Sequence, residues 1–419
     1  MQKLLIKGNR ELSGKISISG SKNATLPILA ASILADKVRL KNIPLVKDIF
    51  TMVELLNFIG LKTKIINKGN IIEIKNNDKN INTLAPYKLV KTMRAGVLVL
   101  GSLLTKYGKA KVSLPGGCAI GTRPVDLHLF ALKKLGAKIK IKNGYILAEA
   151  KKGLKGTIIN FPSISVGATE NALLAACQAR GKTVLKNCAI EPEIIDLITF
   201  LNKLGSKINF KGRTISIYEN KFTSLNISHE VIFDRIELGT YMIACALLAR
   251  NNVIIDKIDP KIVKNEINVL KTIGVKVIKK KSSIIIKKNK KLKKINITTK
   301  PYPGFPTDLQ AQLMVLLTQV EGVSKIKENI FENRYMHVPE LKRMGAQIVI
   351  KGKTAIIKGP TKLTGAEVMA TDLRASVCLV LAGLVAENRT TINRIYHLDR
   401  GYEFLERKLK NCEAEIKRI

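Results

Sequence analysis

The sequence predicts an α/β protein of two domains, each assembled from three copies of a unit of about 70 residues. Three observations carry this. At 419 residues the chain exceeds what one core ordinarily fills. A helical pattern ending in an apolar residue, then Gly, then a Lys- and Ile-rich strand recurs at Gly60, Gly136, Gly205, Gly274 and Gly345. A degraded sixth copy falls at Glu413, and the successive spacings are 76, 69, 69, 71 and 68 residues. Finally, each unit contains one segment that is small and apolar nearly all round, which as a helix must be buried.

Taken in order, a unit reads as strand, buried helix, strand, amphipathic helix and two strands. The buried helices are expected at 23–35, 94–104, 168–179, 238–249, 309–317 and 373–386. Strands such as 111–114, 182–185 and 253–256 follow them. The amphipathic helix is clearest at 125–134, with apolar residues at helical spacing. Each marker glycine stands where a helix C-terminus needs a left-handed residue before the chain turns into a strand. The strand at 12–20 precedes the first buried helix as 231–233 precedes the fourth, so the units split three and three near residue 230. The expected domains are 22–230, and 1–21 plus 231–419. Closing a threefold domain then requires the N-terminal strand to complete the C-terminal domain, with crossovers near Ser21 and Asp234.

The formal charge is +40, from 72 basic and 32 acidic residues. Such a field attracts polyanions. Of the basic residues 56 are Lys and only 16 Arg, spread over polar faces, and runs such as 279–281 and 287–291 lack interleaved aromatic residues for base stacking. Specific nucleic-acid binding is therefore not expected, only weak salt-sensitive adsorption. No signal peptide and no apolar run long enough for a membrane span are seen, so a cytoplasmic protein is expected. Six cysteines without CxxC spacing argue against zinc and against required disulfides. Cys177, Cys245 and Cys378 lie in apolar helical runs and read as core residues. Of the histidines, His128 and His337 read as structural, His397 as a support for Arg400, and His229 as solvent-exposed.

Chemistry concentrates in two places. The segment 114–126 joins Cys118, Arg123 and Asp126 in a turn-rich stretch, with Gly116 and Gly117 freeing its middle while Pro115 and Pro124 stiffen its ends, as suits a lid. The starts of the buried helices are the other. Ser21, Asp234, Thr307 and Asp372 are good N-cap types. Lys22, Arg94 and Arg374 instead place a cation in a first turn, against the helix dipole, unless an anion sits there. A small ligand bearing phosphate and carboxylate groups resolves this.

Together Gly20-Ser21-Lys22-Asn23-Ala24, Pro115-Gly116-Gly117-Cys118, Arg123-Pro124-Val125-Asp126-Leu127-His128, Glu191-Pro192-Glu193, Asp234-Arg235-Ile236-Glu237, Phe331-Glu332-Asn333-Arg334, Thr371-Asp372-Leu373-Arg374 and Asp399-Arg400-Gly401-Tyr402 resemble, in register along the whole chain, the UDP-N-acetylglucosamine 1-carboxyvinyltransferases of the enolpyruvyl transferase family. The resemblance implies two inside-out α/β barrels, or prisms, of three repeats each, with the active site in the cleft between them. It also implies the first committed step of peptidoglycan synthesis: the 3'-hydroxyl of the sugar adds to C2 of phosphoenolpyruvate as C3 is protonated, then phosphate and a C3 proton leave. No cofactor and no metal are implied, and the chain is expected to act as a monomer without membrane insertion.

Residue by residue, the resemblance makes Cys118 the general acid toward C3, the thiol that forms a pyruvate adduct and the target of fosfomycin. Asp308 becomes the base for the sugar hydroxyl, and Lys22 and Arg400 join the catalytic set. Phosphoenolpyruvate contacts fall on Lys22, Asn23, Arg123, Arg334, Arg374 and Arg400, where several cations hold one compact anion. Nucleotide-sugar contacts fall on Arg94, Arg123, Pro124, Val125, Asp126, Leu127, Ser163, Ile164, Ser165, Val166, Asp308 and Ile330. Family members often carry a basic residue where this chain has Ser163. The shikimate 3-phosphate branch of the family is the closest alternative, and the Pro-Gly-Gly-Cys loop speaks against it.

Overall fold

All six repeat markers adopt left-handed backbone in a computed structural model of the chain. φ is +117° at Gly60, +95° at Gly136, +112° at Gly205, +102° at Gly274, +98° at Gly345 and +70° even at Glu413, the degraded copy. Glycine suits five of these turns because it has no Cβ to strain. The structure describes residues 2–66, 70–76, 80–116, 125–222, 226–288 and 291–419.

The chain divides into two units, one drawn from residues 20–232 and the other from residues 2–19 and 233–419. Each holds three four-stranded mixed sheets among the described residues. The same order recurs in every sheet: a short strand runs parallel to the strand that follows the buried helix, which pairs antiparallel with the next. In the third sheet, for example, Ile158–Asn160 lies parallel to Thr183–Lys186, followed by Thr214–Tyr218 and Lys207–Lys211. Alternate residues point inward, so Ile215 and Ile217 are buried while Tyr218 is exposed.

Two strands leave the sequence order. Leu12–Ser17 pairs parallel with Ala249–Asp256 of the second unit, Ile16 opposite Ile255. Asn226–Glu230 pairs parallel with Lys37–Lys41 of the first. Each thus pairs with a strand far from it in sequence and opens that strand's sheet. Leu4–Lys7 and Glu415–Arg418 pair with each other and finish the sixth sheet.

In the unit of residues 20–232 the buried helices are Lys22–Ala31, Val99–Tyr107 and Val166–Ala176. In the other they are Arg235–Leu248, Gln310–Thr318 and Leu373–Val385. Small residues let them approach closely. A Cβ on Gly239 would stand 2.3 Å from Leu309 Cδ1, so Ala there requires the Leu309 side chain to shift. The amphipathic helices, such as Lys47–Ile59 and Pro192–Leu204, turn one apolar face to the same core. The second and fifth buried helices begin one turn earlier as 3-10 segments, Arg94–Leu98 and Thr307–Leu309.

His229 departs from expectation. It is 3% exposed, with Nε2 2.9 Å from Asp196 Oδ1 and its ring edge-on to Phe200. Alternation along its strand turns it inward, and the carboxylate on Pro192–Leu204 satisfies it there. Among the described residues no helix is long and apolar enough to cross a membrane.

Candidate functional site

Four helix starts are capped by side chains. Ser21 accepts from the Ala24 N–H, Ser165 from Ala168, Asp234 from Ile236 and Glu237, and Asp372 from Arg374 and Ala375. Thr307, expected as a cap, makes none. Its hydroxyl donates instead to Glu328 Oε2 at 2.9 Å.

With Thr307 engaged elsewhere, Asp308 stands at the helix start as a carboxylate between two guanidinium groups. Arg334 Nη2 donates to Oδ1 at 2.5 Å and Arg374 Nη2 to Oδ2 at 2.7 Å. Both arginines are 7% exposed, so these charge-assisted bonds are little screened. Burial works to lower the pKa of Arg374, but the Asp308 carboxylate outweighs it and the guanidinium is held charged. For Asp308 to take a proton from a hydroxyl, that hydroxyl must reach a carboxylate lone pair that the arginines leave open.

Glu328 organises the turns that carry this clamp. It is 1% exposed, and its Oε1 accepts from Thr299 Oγ1 at 2.9 Å, from the Ile330 N–H at 2.7 Å and from Phe331 N–H at 3.3 Å. One carboxylate thus ties the turn before Asp308 to the turn before Arg334. The Ile330 N–H is directed into the protein by this bond. Arg400 ends the 3-10 segment Ile395–Arg400, half-buried. His397 lies near enough that its imidazole is held neutral, first by burial and then by the Arg400 charge. Burial likewise pushes His337 down to about 4, with Arg334 adding to the effect.

In the other unit, Lys22 opens the first buried helix and its Nζ lies 3.3 Å from Asp48 Oδ2, a carboxylate 6% exposed. Lys22 and Arg374 thus both face protein carboxylates, which offset the helix-dipole conflict in part without any ligand. Asn23 follows, half-buried, and Arg94 opens the 3-10 segment Arg94–Leu98. Val125 is the buried N-cap residue of Asp126–Lys134; Asp126 is exposed and Leu127 packs on the core. Ser163 is exposed, Ile164 is partly buried against the core, and Val166 is 37% exposed beside the capping Ser165. Cys118, Arg123 and Pro124 lie outside the described residues, and with them the expected lid.

Sequence reading thus named the clamp residues Asp308, Arg334 and Arg374 but missed Glu328 and Asp48. Only their acidic character within a strongly basic chain could have signalled them.

A family model described as EPSP synthase (3-phosphoshikimate 1-carboxyvinyltransferase) matches residues 6–409. The chain is 58% identical over 420 residues to a UDP-N-acetylglucosamine 1-carboxyvinyltransferase of Pelagibacter ubique, covering 100% of both chains. It is 52% identical over 420 residues to the protein of that name from Rickettsia akari, again covering 100% of both. Among solved structures, the enolpyruvyl transferase NikO from Streptomyces tendae shares 26% identity at a TM-score of 0.88, covering 100% of this chain and 98% of that one. An EPSP synthase from Acinetobacter baumannii shares the fold at 17% identity and a TM-score of 0.78, with 100% of both chains covered.

Proposed function

The chain belongs to the enolpyruvyl transferase family, and to its UDP-N-acetylglucosamine 1-carboxyvinyltransferase branch; on that premise we propose that it moves the enolpyruvyl group of phosphoenolpyruvate to the 3'-hydroxyl of UDP-N-acetylglucosamine. The observation that carries this reading is identity of 52 to 58% along the full chain with relatives of that name. The shikimate branch, by contrast, is matched by solved structures at only 17 to 19% identity. The reaction belongs in the cytoplasm as the first committed step of peptidoglycan synthesis, and so serves cell shape and division.

In this reading the hydroxyl oxygen bonds to C2 of phosphoenolpyruvate while C3 gains a proton from Cys118. The tetrahedral ketal then loses phosphate from C2 and a proton from C3, restoring the double bond. Asp308 takes the hydroxyl proton, a role its part-exposed position at a helix start suits once one arginine is occupied by substrate. Arg334 and Arg374 take the carboxylate of phosphoenolpyruvate, while Lys22, Arg123 and Arg400, with Asn23, take the phosphate side. Arg94, 123–127, 163–166 and Ile330 bind the nucleotide sugar. The enzyme acts as a monomer.

Incubation with phosphoenolpyruvate labelled with carbon-13 in all three carbons tests the reading. The nucleotide sugar should gain the labelled enolpyruvyl group as phosphate is released. Phosphate release with unlabelled nucleotide sugar would contradict it.

A further inference from the structure

Behind the Asp308 clamp lies a second polar set that neither capping nor substrate contact explains. Thr240 and Gln312 are 0% exposed and Tyr402 is 3% exposed, within a core built of residues such as Leu238, Met314 and Leu398. Two of the three buried helices of this unit supply Thr240 and Gln312, and the third supplies Arg374. Polar groups this deep destabilise a core unless their bonds are made.

Here most of those bonds are made, Gln312 Oε1 being the exception within this set. The Thr240 hydroxyl donates to the Ile236 carbonyl at 2.9 Å, as a helix-bound threonine does. Its oxygen, 2.8 Å from the Tyr402 hydroxyl, is then left to accept from it. The Tyr402 oxygen in turn keeps its lone pairs for two donors, Gln312 Nε2 at 3.2 Å and Arg374 Nη1 at 3.1 Å. The two Gln312 Nε2 hydrogens are shared among this oxygen, Thr240 Oγ1 at 3.1 Å and the Asp308 carbonyl at 3.0 Å. The network thus grips the clamp at two points, the backbone of Asp308 and the guanidinium of Arg374.

We propose that Tyr402, oriented by Thr240 and Gln312, is a positioning residue that holds the Arg374 guanidinium in the plane required to bind the carboxylate of phosphoenolpyruvate. The inference rests on the enolpyruvyl-transfer reading. Arg374 uses Nη2 for Asp308 and Nη1 for Tyr402. The tyrosine contact therefore persists when Asp308 turns toward the sugar hydroxyl, and Arg374 keeps its orientation through that exchange. Without it, a guanidinium on a long side chain is fixed at one end only.

Tyr402→Phe removes the acceptor and preserves the ring. The KM for phosphoenolpyruvate should rise about 10-fold, as for loss of a hydrogen bond to a charged group, with kcat and the KM for the nucleotide sugar within about twofold of wild type. Thr240→Val should shift the same KM in the same direction, and Thr240→Ser, which keeps the hydroxyl, should restore it. A crystal structure of Tyr402→Phe should show Arg374 rotated away from its present contacts. An unchanged KM, a loss spread equally over both substrates, Thr240→Ser as impaired as Thr240→Val, or Arg374 unmoved would each overturn the proposal. Should Tyr402→Phe fail to fold, the two Thr240 variants decide by their KM values. Absence of turnover by the wild type would instead defeat the functional reading, while the Arg374 position in the crystal still tests the positioning.

Discussion

Arg418, the residue before the last, grips Asp399 with both terminal nitrogens, Nη1 to Oδ2 at 3.1 Å and Nη2 to Oδ1 at 2.7 Å. Arg418 lies in the strand Glu415–Arg418, opposite Leu4, so the closing strand of the sixth sheet is pinned to the residue immediately before Arg400. Its Nε also donates to Glu406 Oε1 at 3.0 Å. Two planar forks meeting face to face fix orientation as well as distance. Arg418→Met should therefore lower kcat/KM for phosphoenolpyruvate about tenfold through Arg400, and stability by roughly 1–3 kcal/mol because the pair is only partly buried. Steady-state kinetics with chemical denaturation checks this, and a stability loss with unaltered kinetics would disconnect Arg418 from the site.

Asp308→Asn keeps the size of the side chain and removes its charge. The base role predicts that kcat falls at least 100-fold. Binding of phosphoenolpyruvate should hold or tighten, because the carboxylate that competes for Arg334 and Arg374 is gone. Isothermal titration beside single-turnover kinetics separates the two. Weakened binding with near-normal turnover would make Asp308 a structural ion-pair partner alone.

How much of this was written in the chain depends on the range of the interaction. The repeat was legible because a left-handed helix end is a local demand, and glycine answers it at Gly60 and Gly205. The buried helices were legible because a segment with no polar face has one place to go. Lys22, Arg94 and Arg374 were noticed because a cation in a first turn breaks a local rule. What escaped was long-range. Thr240 meets Tyr402 across 162 residues, and nothing local in either segment announces it. His229 was expected in solvent because its polar neighbours hide the alternation that turns it toward Asp196. Thr307 was expected as a cap until Glu328, 21 residues away, claimed its hydroxyl.

The thiols differ in kind. Cys177, Cys188, Cys245, Cys378 and Cys412 are all buried. Burial pushes Cys177 and Cys188 up to about 12 and Cys412 to about 11, and raises Cys245 and Cys378 as well, so none supplies thiolate near neutral pH. An epoxide of the fosfomycin type should accordingly modify Cys118 and no other thiol, as peptide mass mapping will read. Cys118→Ala should abolish turnover while sparing nucleotide-sugar binding; Cys118→Asp should keep measurable activity and escape modification. Adducts on Cys177 or Cys412 would refute the selectivity.

Glu170 gives the fold a pH dependence of its own. It is 6% exposed, and burial, reinforced by Glu193 and Glu191, raises its pKa to about 8. A carboxyl whose folded pKa exceeds its unfolded value stabilises the fold fully below about 4.5, and that contribution disappears as pH rises through 8. Glu170→Gln removes this term. The variant should gain roughly 4 kcal/mol over wild type between pH 5 and pH 8, with little difference at pH 5. Urea unfolding at both pH values measures it, and parallel curves would show that Glu170 ionises without penalty.

The acceptor is the centre of the account, and one assay addresses it directly. Phosphate release from phosphoenolpyruvate is followed with UDP-N-acetylglucosamine or with shikimate 3-phosphate as the only acceptor. The account predicts release with the nucleotide sugar and none above background with shikimate 3-phosphate. Release with shikimate 3-phosphate alone would contradict it.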